Sequence, residues 1–183
     1  MMPIFTQRFA WIFAILLLPV GLPRALHADE AMETAGDVLQ IALPAAAYAM
    51  TFSNDDREGR LQYTQTFLTA MAATYALKPT VDRERPDGGD MSFPSGHTSA
   101  AFSGAAFMQM RYGWRYGGLA YAGAAFVGWS RVAADRHYME DVVAGAGIGL
   151  ASAAIFTKPY LDKIRVLPFV SQEQIGMCVA MAW

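Results

Sequence analysis

After a polar stretch, Asp29–Gly36, apolar segments alternate with short charged breaks. The segments are Val38–Phe52, Leu61–Leu77, Thr98–Met110, Gly118–Trp129 and Val142–Phe156. They are rich in Ala, Gly, Met and aromatic residues and poor in β-branched runs, which favours helices over strands. The pattern predicts an all-α bundle of about five core helices. Between the second and third segments runs a long loop, Lys78–Pro94, whose Arg85-Pro86 and Phe93-Pro94 steps disfavour helix before each proline. The tail reads differently. Ile164, Val166, Pro168 and Val170 alternate, Ser171–Gln174 interrupts, and Ile175, Met177, Val179 and Met181 alternate again. That is the pattern of a small β-hairpin, over 164–183, whose simplest role is to cover an end of the bundle.

Whether these helices cross a membrane turns on length and charge. The apolar cores run 12 to 17 residues, short of the ~20 of a full span. Flanking Tyr, Trp and Gly residues extend them. Gly104, Gly123, Gly145 and Gly149 suit close helix packing in lipid, and equally in a compact soluble bundle. At the N-terminus, Arg8 precedes an apolar run, Phe9–Val20. Pro19, Gly21 and Pro23 break that run, and Leu26-His27-Ala28 offers a cleavage site. Residues 1–28 therefore read as an export signal, with an uncleaved first transmembrane helix as the alternative. If Ala28 lies outside and each segment crosses once, Arg8, Arg57, Arg60, Arg111, Arg115, Lys158, Lys163 and Arg165 fall inside, eight of fourteen cations. That obeys the positive-inside rule. It predicts an integral inner-membrane protein whose helical domain spans 29–163, with the chemistry-bearing loops on one outer face.

Composition adds limits. Formal net charge is −2, so bulk charge gives no reason to expect a nucleic-acid partner. Charged residues make up 16%, against about 25% in soluble domains, and mean hydropathy is +0.22. The single cysteine, Cys178, excludes an internal disulfide and a multi-cysteine metal site. No His/Cys/carboxylate cluster has ligand spacing, so no metal and no cofactor are expected. Asp82, Glu84, Asp87 and Asp90 read as a solvated acidic loop.

The chemistry gathers in three segments: Lys78-x6-Arg85-Pro86, Pro94-Ser95-Gly96-His97, and Ser130-Arg131-x5-His137-x3-Asp141. His137 and Asp141 are four apart. At a helix start that spacing puts the carboxylate where it can accept the Nδ1 proton and leave Nε2 as a nucleophile; taken alone it is an ordinary helix pair. Ser95 and Gly96 at a helix N-terminus aim donors at an anion, with His97 beside it as a proton source; alone, they are a plain cap with an exposed histidine. Lys78, Arg85 and Arg131 supply three fixed charges for phosphoryl oxygens. Lys78 and Arg131 could instead snorkel at helix ends, and Arg85 could be solvated. Arg83 and Arg136 read as solvated, or paired with Glu84 and Asp135. Jointly, the ten residue types would agree by chance at roughly 10⁻¹³ before spacing freedom.

These segments resemble the three signature motifs of the type 2 phosphatidic acid phosphatase (PAP2) superfamily, which includes bacterial lipid phosphatases, class A acid phosphatases and vanadium-dependent haloperoxidases. The match is complete at the signature positions and covers about a third of the chain, Lys78 to Asp141. The resemblance implies His137 as a nucleophile that forms a phosphohistidine, Asp141 as its partner, and His97 as general acid. It implies Lys78, Arg85, Ser95, the Gly96 amide and Arg131 as phosphate ligands, without metal. The leading expectation is a lipid phosphatase of the inner membrane with its site on the periplasmic side. A soluble periplasmic acid phosphatase acting on small phosphomonoesters is the alternative. A vanadate-dependent haloperoxidase and a non-catalytic lipid-binding protein rank below both.

Overall fold

Five helices carry the architecture: α1 (Ala28–Ser53), α2 (Arg57–Val81), α3 (Gly96–Tyr112), α4 (Trp114–Ala133) and α5 (Met139–Phe156). The computed structural model describes residues 28–160 and the backbone of 164–170 and 175–181. The export signal expected over 1–28 lies outside the described residues but for Ala28. The expected all-α bundle is present, and its helices outrun their apolar cores. α1 and α2 have 26 and 25 residues, about 38 Å each at 1.5 Å per residue. Only α5, among the described residues, is both long and apolar enough to cross a membrane by composition.

The C-terminal hairpin is not established with the bundle. Backbone segments β1 (Ile164–Val170) and β2 (Ile175–Met181) run antiparallel, Ile164 opposite Met181. Residues 171–174, which would join them, lie outside the described residues. The helices alone define the fold.

α3 is the central post and packs on the other four. Its buried face is made of small residues: Ser99, Ala100, Ala101, Ser103, Gly104, Ala105 and Ala106. Small side chains let backbones approach. In α5, a Cβ on Gly145 would stand 2.4 Å from the Ser95 carbonyl oxygen, and one on Gly149 would stand 2.7 Å from the Ser103 nitrogen. Across α2 and α3, Thr74 Oγ1 donates to Ser99 Oγ at 2.9 Å in the interior. Larger residues fill one end of the core, where Leu43, Met50, Tyr63, Phe107, Met108 and Val127 meet. Elsewhere the bulky apolar side chains point outward: Ile41, Leu68, Leu119, Val143 and Ile155 are each more than 60% exposed.

Helix ends alternate, so two distinct poles form. One collects the start of α1, the end of α2, the start of α3, the end of α4 and the start of α5. The other is tied by a buried ion pair. Asp56 caps α2 by accepting from Gly59 N–H at 2.8 Å. It also takes Arg111 Nη2 at 2.6 Å, Arg111 Nε at 2.8 Å and Tyr112 OH at 2.8 Å. Arg111 Nη1 reaches on to the Lys158 carbonyl at 2.8 Å. Arg111 is thus a buried clasp. A compact α1–α2 loop puts the carboxylate of Asp56 within reach, which no local pattern announces.

Candidate active site

Each chemical segment is brought to the first pole by a helix terminus. α2 ends where Asp82 takes a left-handed conformation, φ 42°, with its N–H on the Lys78 carbonyl. Asp tolerates that geometry better than most residues. Lys78 is thereby left on the final turn. Ser95 caps α3, accepting from Thr98 N at 3.4 Å and Thr98 Oγ1 at 3.0 Å. α4 ends in a reversal: the Arg131 carbonyl accepts from Arg136 N at 2.9 Å and His137 N at 3.2 Å. The reversal folds His137 back over the helix end. Asp141 sits in the first turn of α5 and accepts from Tyr138 N–H at 2.9 Å.

The result is a cleft of about 710 Å³ lined by Lys78, Arg85, Gly96, His97 and His137. Both imidazoles face this one space, together with two of the three expected cations. Lys78 Nζ rests on the Met91 carbonyl at 2.8 Å and Arg85 Nε on the Asp90 carbonyl at 3.0 Å. Ser95 and Arg131 stand behind the wall. Ser95 is fully buried in its capping role and Arg131 is 2% exposed. All three guanidinium nitrogens of Arg131 are engaged: Nε with Ser130 Oγ at 3.3 Å, Nη1 with Asp37 at 2.7 Å and Nη2 with the Glu33 carbonyl at 2.7 Å.

The His137–Asp141 pair differs from expectation. The spacing does bring them together, but Nδ1 and Oδ2 are 3.7 Å apart, beyond a hydrogen bond. Ser92 intervenes. Its Oγ is 3.4 Å from His137 Nδ1 and donates in a short bond to Asp141 Oδ2. With the Ser92 proton committed to the carboxylate, its oxygen can only accept, and the group offering a proton is Nδ1–H. That arrangement suits the tautomer that leaves Nε2 free. Ser92 gave no signal in the sequence, because a serine two residues before the Pro94-Ser95 step looks like ordinary loop.

Arg83 and Arg136 also depart from the reading as solvated or locally paired. Arg83 reaches Asp141 Oδ1 at 3.1 Å and Glu140 at 3.5 Å, and lies over the Tyr138 ring at 4.1 Å. Arg136 joins Glu33 at 2.8 Å to Asp87 at 2.9 Å. The acidic loop is therefore tied down at Asp87. Partners distant in sequence outcompete the adjacent ones because the loops converge at one pole.

Electrostatics prepares the two histidines. Burial, then the charges of Arg85 and Lys78, push His137 down to about 4 against the pull of Asp141. It is neutral near pH 7. Burial and Arg131 also lower His97, while Asp37 resists. Burial and neighbouring Arg85 lower Lys78. Among the described residues, no group of His, Cys and carboxylate side chains is arranged to hold a metal.

Chemically, a helical bundle presents a neutral and a protonatable imidazole across a cationic cleft. That is the class of protein that handles phosphoryl groups. The PAP2 superfamily model matches residues 60–165, more than half of the chain, and the chain belongs to that superfamily. It is similar, at 27% identity over 94% of its length and 91% of the relative, to the lipid A 4'-phosphatase of Helicobacter pylori strain J99. In fold it is similar to the crystal structure of Aquifex aeolicus LpxE, with TM-score 0.62, 19% identity, and coverage of 82% of this chain and 92% of that one. It is likewise similar to a transmembrane PAP2 type phosphatidylglycerolphosphate phosphatase from Bacillus subtilis, with TM-score 0.58, 23% identity, and coverage of 83% and 92%.

Proposed function

We propose that this chain is a lipid phosphatase that removes a phosphate monoester from a lipid A-type headgroup at a membrane surface. His137 Nε2 attacks phosphorus, the N–P bond forms, and the ester P–O bond breaks as His97 gives its proton to the leaving oxygen. Lys78, Arg85 and the Gly96 amide hold the equatorial oxygens, where charge spreads in the in-line transition state. Water then attacks the phosphorus as His97 takes its proton, a P–O bond forms, the N–P bond to His137 breaks, and inorganic phosphate leaves. The catalytic unit of this reading is residues 29–163.

One observation carries the reading: two imidazoles share one cleft with fixed cations, and that cleft runs out between α1 and α2 over Ile41, Phe67, Met71 and Tyr75. A phosphate at the polar end and an acyl chain along the apolar end fit this gradient. The many bulky apolar side chains that face outward suit a lipid solvent, where such groups gain nothing by hiding from water. The relative named a lipid A 4'-phosphatase and the fold's likeness to a transmembrane phosphatase support the same reading. The positive-inside count favours the periplasmic side for the cleft.

The test is phosphate release by the purified full chain in detergent, with lipid A, phosphatidic acid and an aryl phosphate compared. Lipid substrates should exceed the aryl phosphate at least about tenfold in kcat/KM, and His137→Ala should abolish turnover. Equal rates on all three would favour a soluble-substrate acid phosphatase. Retained turnover in His137→Ala would remove the nucleophile assignment.

A further inference from the structure

The carboxylate of Asp37 lies between two of the motif residues although no motif contains it. Its Oδ1 is 3.1 Å from His97 Nε2 and 2.7 Å from Arg131 Nη1. Asp37 belongs to α1, outside the residues 60–165 that the family model matches. Its placement is built in. One residue earlier, a Cβ on Gly36 would stand 2.1 Å from Ser130 Oγ and 2.7 Å from Arg131 Nη2. Only glycine lets α1 lie this close to the end of α4. One turn earlier, the Glu33 carbonyl accepts from Arg131 Nη2 at 2.7 Å. The first turns of α1 therefore grip Arg131 from two sides and reach through it to His97.

We propose that Asp37 is a positioning residue for the reaction: shared between Arg131 Nη1 and His97 Nε2, its carboxylate fixes the His97 ring and favours the protonated form that gives its proton to the leaving oxygen. An imidazolium has two N–H groups. Asp37 takes the one on Nε2, so the Nδ1 proton stays available. Arg131 keeps the carboxylate ionised and aimed. The charged groups around His97 come from every side: Asp37 on α1, Arg85 from the α2–α3 loop, Arg131 on α4 and His137 from the α4–α5 loop. Asp37 is the one among these whose charge favours the imidazolium.

The inference rests on His97 as the acid of the proposed phosphatase, so its test needs a readout that survives loss of activity. The chain has three histidines, and His137→Gln leaves two ring signals to follow by NMR in the ¹⁵N-histidine-labelled full chain, with His97→Gln assigning His97. Adding Asp37→Asn should lower the His97 midpoint by about one pH unit, the size expected for an opposite charge at this distance. In the chain with His137 intact, Asp37→Asn should move the alkaline limb of the kcat profile down by the same amount. At pH 7 that is about a tenfold loss of kcat, with KM within threefold, and Asp37→Glu should recover most of it. An unmoved midpoint and an unmoved limb would overturn the proposal. So would Asp37→Asn binding vanadate about tenfold more tightly with kcat undiminished, since Asp37 would then be filling the anion's place. Failure of the parent chain to release phosphate would count against the phosphatase reading and leave the NMR result standing by itself.

Discussion

At the level of single residues, the His137 imidazole meets Asp141 through a hydroxyl. Ser92 stands between the imidazole and Asp141, and the carboxylate is also held by Tyr138 N–H and Arg83. Removing the hydroxyl leaves Nδ1–H without its acceptor, buried. The bond Ser92 gives the Asp141 carboxylate goes as well, and a hydrogen bond to a charged group is worth about 1.5–3 kcal/mol. Ser92→Ala should therefore lower kcat about ten- to a hundredfold while KM stays within threefold and the circular dichroism spectrum is unchanged. A kcat equal to the parent's would show that Asp141 orients His137 without help. The two histidines, the aspartate and the cations stand out in the sequence because their chemistry and spacing are unusual together. Ser92 and Asp37 do not. A serine in a loop and an aspartate in a helix's first turns are ordinary until a distant segment is folded onto them.

At the level of elements, the site depends on how closely α5 lies against α3. Gly145 abuts the carbonyl of Ser95, the residue that caps α3 and precedes His97; in turn Ser95 N–H donates to the Asp141 carbonyl at 2.9 Å. A methyl group at 145 would meet backbone, which cannot rotate away. Gly145→Ala should cost about 1–3 kcal/mol of stability, as overpacking does, and should lower activity by spreading His97 from His137. Gly147 is the internal control. Nothing lies within 4 Å of its Cβ position, so Gly147→Ala should gain up to about 1 kcal/mol from helix propensity. Thermal unfolding of both variants in detergent checks the pair, and equal midpoints would refute the close-packing argument. The existence of five helices followed from the apolar segments. Their ends did not: α1 begins ten residues before Val38, because polar Glu33 and Asp37 have partners on α4 and α3 that only the packed bundle supplies.

For the molecule as a whole, the two poles have separate duties: one holds the chemistry and the other closes the bundle through Asp56 and Arg111. Burial opposes ionisation of Asp56, but hydrogen bonds from Arg111, Gly59 and Tyr112, with the charge of Arg111, outweigh it and hold the carboxyl below its usual range. A lowered folded value means stability present above about pH 4 and lost as pH falls through the folded value. Asp56→Ala would leave Arg111 buried without its close carboxylate partner, which costs up to about 3–5 kcal/mol. Denaturant or thermal unfolding in detergent at pH 7 should show that loss, and a variant as stable as the parent would mean water already reaches the pair. By itself the sequence determined the helical class, the three chemical segments and their family, since hydrophobic pattern and rare residue combinations are local properties of a chain. Which hydroxyl stands between His137 and Asp141, which carboxylate meets His97, and why Arg131 and Arg111 are buried were settled only when the helices packed. Those are matters of distances between segments far apart in the chain, and spacing along the chain carries no information about them.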